Sequence, residues 1–519
     1  MKYSLPYRII FLSVLLLGSL SVGWQKEPVA PAASRPNVIF ILSDDHRFDF
    51  MGFTGKVPGL ETPNLDRLAT QGIHCRNAFV TTSLCSPSRA SILTGQFSHV
   101  HEVVDNDAPV KEGLTFFPSL LRDGGYRTAF IGKWHMGHYR DDPRPGFDHW
   151  VSFQGQGVYF DPVLNVDGEH VTHSDSAYIT DVLTDYAIDW IKAQDDEQPF
   201  FLYLSHKAVH AEFMPPPRHR GRYADLPVQY PPTMYPPTTE PWNYPNGTAP
   251  PPTAEQLQRA RNLPYYYDLV PNWVKAQRNS WHGVDYMYNG QMSFDEFYRN
   301  YLETLLGIDE STGRILDQLA AQGILENTII IYMGDNGFSF GEHGLIDKRQ
   351  AYEESMRVPF MVYAPGRFDG RPLEAMVMNV DVGPTVLDIA GLPTPDWMNG
   401  RSFLPLLRGE TVPDWRTRVF YEYYWERPFP QTPTVHAVRT DRYKFIRYQG
   451  IWDLNEFFDL ANDPYEAHNL IREPAWQPTI DSLNRALFTW LEDTKGLKIP
   501  LKPTLYPRPG NDILYGNTY

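Results

Sequence analysis

"NVIFIL", residues 37–42, runs straight into "SDDHR", residues 43–47: a short apolar run of branched and aromatic side chains followed by two adjacent aspartates. Such a run reads as a strand buried on both faces, the kind that parallel sheets use. The pattern recurs at "TAFIGK" (128–133), "FFLYLS" (200–205), "NTIIIYMG" (327–334) and "FMVYAP" (360–365). Between these runs lie segments with helical spacing, among them "TPNLDRLATQG" (62–72) and "FDEFYRNYLETLLGIDESTGRILDQLAAQG" (294–323), each closed by a glycine. Strands alternating with helices predict an α/β fold, a large mostly parallel sheet flanked by helices. Functional residues in such a sheet gather at the carboxyl ends of the strands.

At 519 residues the chain outgrows a single hydrophobic core and is expected to divide. Residues 1–35 read as an export signal and linker: basic "MKYSLPYR", apolar "IIFLSVLLLGSLSVG", then a polar Ala/Pro-rich stretch. The apolar part is short of the ~20 residues a membrane span needs, so an exported protein, periplasmic or secreted and without stable membrane insertion, is expected. An uncleaved N-terminal anchor is the alternative. Residues 36–414 form the predicted main domain. Within it, 214–252 is too Pro-rich for regular structure and reads as an excursion over the surface. From 415 to 519, "RVFYEYYWE" and "TVHAVRTDRYKFIRYQG" read as antiparallel strands and "WQPTIDSLNRALFTWLEDTKG" as a closing helix, a smaller α+β unit. A formal net charge of −16 argues against a nucleic-acid partner and leaves room for a local basic pocket fitted to one anionic group.

Chemistry concentrates at the predicted strand ends. Asp44 and Asp45 follow the first strand, and "GDNG" places Asp335 and Asn336 after a later one. Three carboxylates and an amide are oxygen donors suited to a hard cation, and Ca²⁺ accepts an irregular oxygen shell more readily than Mg²⁺. Turn and capping chemistry is the plainer alternative for either motif alone. In "TTSLCSPSRASILTGQ" (81–96), one of only two cysteines stands at the start of a helix that Gly95 ends. The positive end of the helix dipole favours an anion or a low-pKa thiol at Cys85. A bridge to Cys75 is the other reading. An exported thiol is exposed to oxidation, a difficulty that a chemically altered side chain would remove.

"CSPSR" followed by "ASILTG" resembles the signature of the type I sulfatases, in which the cysteine is oxidised to formylglycine and its hydrated aldehyde is the nucleophile. "RPNVIFILSDDHR", "GYRTAFIGKWHMG", "YMGDNGFSFGEHGLIDK", "DVGPTVLDIAGLP" and "FFDLANDPYEAHNL" resemble further landmarks of that family, in order. The resemblance implies one Ca²⁺ held by Asp44, Asp45, Asp335, Asn336 and the residue made from Cys85. It implies that Arg89 steadies the nucleophile, that Lys133 and Lys348 hold sulfate oxygens, and that His135 hydrogen-bonds a formylglycine hydroxyl, lying on the side of Lys133 if the segment is extended. His210 matches the leaving-group acid, although Val209 replaces the family's usual Pro; His206 is the alternative. His343 lines the pocket or hydrogen-bonds a loop, and His46 and His138 read as structural or supporting. The implied partners are a sulfated oligo- or polysaccharide and a maturation enzyme that oxidises Cys85. A 6-sulfated hexosamine or a marine algal glycan would suit a bacterial enzyme of this kind, though no residue selects between them. Aromatic segments such as "EPWNYPNG", "PYYYDLVPNW" and "YEYYWERPFPQ" could offer flat faces to sugar rings, or serve as ordinary core. Phosphate or phosphonate monoester hydrolysis on the same fold, and a silent glycan-binding protein, are the competing functions.

Overall fold

The computed structural model describes Met1 and residues 35–137, 140–195, 198–234, 269–290 and 292–500. The predicted signal segment, His138, the later half of the Pro-rich stretch and the last 19 residues fall outside it.

In chain order the elements that matter are β1 (Asn37–Ser43), α1 (Pro63–Gln71), β2 (Ile73–Cys75), α2 (Cys85–Thr94), β3 (Arg127–Gly132), β4 (His149–Ser152), β5 (Val163–Val166) and β6 (Glu169–Thr172). Next come α3 (Ile179–Lys192), β7 (Phe200–Ser205), α4 (Phe294–Ala321), β8 (Thr328–Gly334), β9 (Phe360–Tyr363) and β10 (Arg371–Leu373). They build one ten-stranded sheet in the order β10-β2-β9-β8-β1-β7-β3-β4-β5-β6. The five middle strands, β8 to β4, run parallel, with β1 hydrogen-bonded to β7 on one side and β8 on the other. All seven residues of β1 are buried, as the opening run predicts for a strand covered on both faces. The margins depart from a parallel sheet: β9 pairs antiparallel with both β8 and β2, and β5 and β6 form an antiparallel ribbon. The run at 360–365 is therefore a strand of the predicted place but of reversed direction.

α4 is 28 residues long and is capped by Ser293, whose side chain accepts the Glu296 N–H. Its buried face does more than pack. Tyr301 accepts the Arg47 N–H at 2.9 Å and donates to Asp45 O at 3.0 Å, fixing the loop that leaves β1.

A separate four-stranded antiparallel sheet follows: β11 (Arg418–Tyr423), β12 (Thr434–Thr440), β13 (Tyr443–Gln449) and β14 (Glu456–Asp459), with α5 (Gln477–Asp493) packed on it. It docks beside the loop before α2, where Glu422 N–H donates to Thr81 O at 2.8 Å. The described part of the Pro-rich stretch forms turns, as expected, yet it does not simply ride the surface. Tyr223, Val228 and Met234 are buried in the same core cluster as Phe294 and Tyr298 of α4, because the excursion carries its own apolar anchors. Among the described residues no helix is long and apolar enough to cross a membrane.

Candidate active site

Four neighbouring strand ends deliver the site. Asp44 and Asp45 follow β1, Asp335 and Asn336 follow β8, Lys133 and His135 follow β3, and Lys207 and His210 follow β7. Backbone bonds hold these loops edge to edge beyond the sheet: Asp335 N–H to Ser43 O and Asp44 N–H to Ala208 O, both at 2.9 Å, and Lys133 N–H to Ser205 O at 2.8 Å. Gly132 permits the last approach. At φ 122°, a Cβ there would stand 1.8 Å from Ser205 O, so no other residue fits. α2 enters with all ten residues buried, Cys85 first, and Gly95 closes it in a left-handed turn at φ 67°.

Asp44, Asp45 and Asp335 are fully buried, each offering an oxygen within 4.8 Å of the others. Burial pushes the Asp45 carboxyl up to about 7; the Lys348 ammonium opposes the rise, and Asp44 and Asp335 add to it. Burial and then the Asp44 charge raise Asp335 as well. Asp44 itself is held well below the usual carboxylate range, because the Lys133, Arg89 and Lys348 charges outweigh its burial. Carboxylates crowded in this way suit a bound cation. Asn336 Oδ1, buried and without a hydrogen-bond partner among the described residues, offers a fourth oxygen. The donor set fits a hard ion.

The cations are committed to these acids. Lys348 Nζ donates to both Asp45 oxygens at 2.6 Å, and Lys133 Nζ to Asp44 and to Gln156 Oε1, the latter at 2.5 Å. Arg89, one turn after Cys85, donates from Nε to Asp335 Oδ2 at 2.9 Å and from Nη1 to Lys133 O at 2.7 Å and Ser205 Oγ at 2.6 Å. One guanidinium thus braces three strand ends.

Cys85 is buried with Sγ 3.5 Å from Asp44 Oδ1. Burial, and then the Asp44 charge, pushes its thiol up to about 12. The helix N-terminus does not yield a thiolate here, which removes the low-pKa reading. Both cysteines are free, Cys75 lying in β2, so the disulfide reading goes too.

A cavity of about 460 Å³ opens over the cluster, and Asp45, His135, His210 and Lys348 all line it. His135 gets there differently from the extended path predicted: its φ is 55°, a left-handed turn in which its carbonyl accepts the Ser86 hydroxyl. Its Nδ1 is buried without a partner among the described residues. His210 Nδ1 lies 2.5 Å from Ala211 O, and Tyr159 OH donates to His210 O at 2.6 Å. The other ring nitrogen, Nε2, lies 3.8 Å from Asp45 Oδ2. Burial, then the Lys348 and Lys133 charges, holds His210 well below the usual histidine value, so the free site keeps it neutral. His206 points elsewhere: its Nε2 lies 3.1 Å from Ser311 Oγ of α4, and burial lowers it to about 3. His343 stacks on Tyr352 at 3.9 Å while its N–H donates to Thr233 Oγ1, the loop role of the two considered. His46 sits between Tyr332 OH at 2.7 Å and Phe50 O at 3.2 Å, a structural place.

Sequence reasoning passed over three parts of the cavity. Lys207 was legible in "SHKAVH", two residues beyond its strand as His135 is three beyond β3. Gln156 carries no signal in its loop. The wall made by Asp347, Arg349 and Glu426, in which Arg349 Nε donates to Glu426 Oε1 at 2.8 Å, joins the two sheets and needs the tertiary fold.

Residues 36–392 match the Sulfatase family model, and residues 341–493 match the model for the C-terminal part of N-sulphoglucosamine sulphohydrolase. The chain is 35% identical over 495 residues to the N-acetylglucosamine-6-O-sulfatase of Bacteroides thetaiotaomicron, covering 88% of this chain and 86% of that one. It is 30% identical to the N-acetylglucosamine-6-sulfatase of Homo sapiens, covering 79% and 71% respectively. A solved structure of a protein in complex with its substrate D-glucosamine-2-N,6-O-disulfate aligns with a TM-score of 0.75 and 31% identity, over 90% of this chain and 100% of that one. These matches span the sheet, α2 and the strand ends that carry the site, and the chain accordingly belongs to the sulfatase family and is a sulfatase.

Proposed function

We propose that this enzyme removes the 6-O-sulfate of an N-acetylglucosamine-type residue in a glycosaminoglycan, using a formylglycine made from Cys85 and one Ca²⁺ held by Asp44, Asp45, Asp335 and Asn336. The relatives named for N-acetylglucosamine-6-sulfate support the substrate. The observation that carries the chemistry is Cys85 itself. A buried thiol pushed up to about 12 is inert, yet its sulfur lies 3.5 Å from Asp44 Oδ1, in the carboxylate cluster whose Asp45 lines the cavity.

As an aldehyde hydrate, residue 85 would supply one hydroxyl that attacks sulfur as the S–O bond to the sugar breaks, and a second whose loss of a proton re-forms the aldehyde C=O and breaks the C–O bond to the sulfated oxygen, releasing sulfate without attack by outside water on sulfur. A bound Ca²⁺ supplies positive charge against the sulfate oxygens. The chain's own residues do the rest. Lys133 and Lys348 neutralise charge that builds on the sulfate as the S–O bond breaks. Arg89 keeps Asp335 and the Lys133 strand end in register, and His135 offers its unpartnered ring nitrogen to a hydroxyl at position 85. His210, oriented through Nδ1 by Ala211 O, presents Nε2 and donates a proton to the departing sugar oxygen. It must be protonated for this, and the arriving anionic ester raises its affinity for a proton.

Export through the N-terminal segment, maturation by a Cys-oxidising enzyme, and a division into a catalytic domain over 36–414 and a smaller unit over 415–519 belong to the same proposal. The test is desulfation of a panel of defined sulfated saccharides, read by product mass and ring position, with a phosphonate monoester as control. Preferred cleavage at the 6-O position of N-acetylglucosamine is expected. A preference for another ring position, or for the phosphonate, overturns the substrate assignment.

A further inference from the structure

Lys207 has no part in that chemistry, yet it is built into the site. Its residue is 5% exposed, it lines the same cavity as His135, His210 and Lys348, and it leaves the end of the strand next to that of Lys133. Its ammonium sits 4.7 Å over the ring of Tyr159, whose hydroxyl also fixes the His210 carbonyl. Among the described residues Lys207 Nζ has no hydrogen-bond acceptor and no carboxylate at ion-pair distance. The other cations are spoken for: Lys133 by Asp44 and Gln156, Lys348 by both oxygens of Asp45, Arg89 by Asp335 and two further oxygens. Three cations face three aspartates, and Lys207 is a fourth. A buried ammonium facing a cavity without a protein acceptor is costly unless a ligand brings one.

Position decides which part of the ligand that is. The charged groups that bear on Lys207 are Lys133, Asp44 and Asp45, at the reacting end of the site. In the remaining walls the one arginine, Arg349, is already paired with Asp347 and Glu426, and Asp107 and Glu212 add negative charge, a poor setting for a second anionic substituent. We propose that Lys207 is a third lysine contact to the reacting sulfate, donating to a non-bridging oxygen that Lys133 and Lys348, tied to their aspartates, leave open. This rests on the sulfate ester lying over Asp45 and residue 85.

Inorganic sulfate, the product, provides a probe that needs no turnover. Titrated calorimetrically into matured enzyme, it should bind Lys207→Met roughly 10- to 100-fold more weakly than wild type, the scale of one charge-assisted hydrogen bond, and Lys207→Arg within a few-fold. KM for a singly and for a doubly sulfated hexosamine should rise by the same factor. Lys207→Gln replaces the Met variant if that one fails to fold. Unchanged sulfate affinity with a lowered melting temperature would make Lys207 a strut on Tyr159 and overturn the inference. So would a loss confined to the doubly sulfated sugar, which would mean that Lys207 reads a second anion. Sulfate binding through Lys207 in an enzyme that spares 6-O-sulfates would defeat the substrate assignment and leave this inference standing.

Discussion

At the carboxyl edge of the large sheet, three aspartates, two lysines and Arg89 are packed beneath a cavity; where the small sheet docks, Glu353 and Glu466 face Lys444 and Arg439 inside a packed core. Both clusters are buried, and both hold carboxyls with displaced titration. Glu466 is pushed up to about 7 by burial, as Asp45 is. Displaced titration therefore does not tell a working site from a structural one. The direction of the unsatisfied atoms does. Lys444 Nζ and Glu466 Oε1 are off hydrogen-bond alignment, but they face each other at 2.7 Å. At the large sheet, Lys207, whose Nζ has no acceptor among the described residues, lines open space together with His210. A charge cluster closed on itself holds the fold together, and one open to a cavity waits for a ligand.

That contrast breaks most readily at Cys85. Cys85→Ala should cost about 10⁴-fold or more in kcat, the scale of removing a nucleophile, with the melting temperature nearly unchanged. Mass spectrometry of the peptide around residue 85 should find the aldehyde in active protein; full activity with an unmodified thiol would end the proposal. Removing the metal comes next. Chelation should abolish most activity and also lower the melting temperature, because three buried carboxylates are left facing one another, and one Ca²⁺ per chain should restore both. Stoichiometric zinc, or full activity in a metal-free sample, would count against the assignment.

The two histidines of "SHKAVH" sharpen the contrast within one loop. His210→Ala should slow a sugar sulfate by ~10²- to 10⁴-fold and a nitrophenyl sulfate far less, since a good leaving group needs little proton transfer. His206→Ala should affect both substrates equally and show mainly as lost stability, through the bond to Ser311. Equal losses for His210→Ala on both substrates would reduce it to a sulfate contact. Lys444→Met reverses the profile of the active-site variants: breaking a buried pair costs about 3–5 kcal/mol of stability, with kcat/KM of the folded enzyme held.

Much of this was legible in the chain. Runs such as "NVIFIL" and "FFLYLS" placed four of the five middle strands, because strands buried on both faces are spelled in apolar residues, and the strand-end rule then located Asp44, Asp45, Asp335 and Asn336; β4, "HWVS", carries no such run and was missed. The direction of β9 was not legible, since a buried run reads the same in either sense and only its connection fixes it. Nor was the backbone of His135, which makes a left-handed turn three residues beyond β3 where an extended path was expected. The separation of His206 from His210 needed α4, brought in from a hundred residues away.

The smallest expected effect on activity belongs to Glu456, at the start of β14, and it tests whether the small-sheet side is purely structural. Its carboxylate accepts from Tyr352 OH at 3.0 and 3.1 Å and from Tyr448 OH, and burial still pushes it up to about 8 against those two hydroxyls. The folded value thus lies above the ordinary 4.5. An acid raised in this way gives its full support below about 4.5 and loses it as pH climbs through about 8, because the folded chain must then ionise a buried group or unfold. Glu456→Gln keeps the shape and has no charge to ionise. It should match wild type in urea unfolding at pH 5 and exceed it at pH 9 by about 2–4 kcal/mol, with sulfatase activity the same in both. A stability difference that stays constant between those pH values would place an ionised, paired carboxylate at 456, and a change in kcat/KM would carry the influence of the small sheet into the cavity through Tyr352, which stacks on His343.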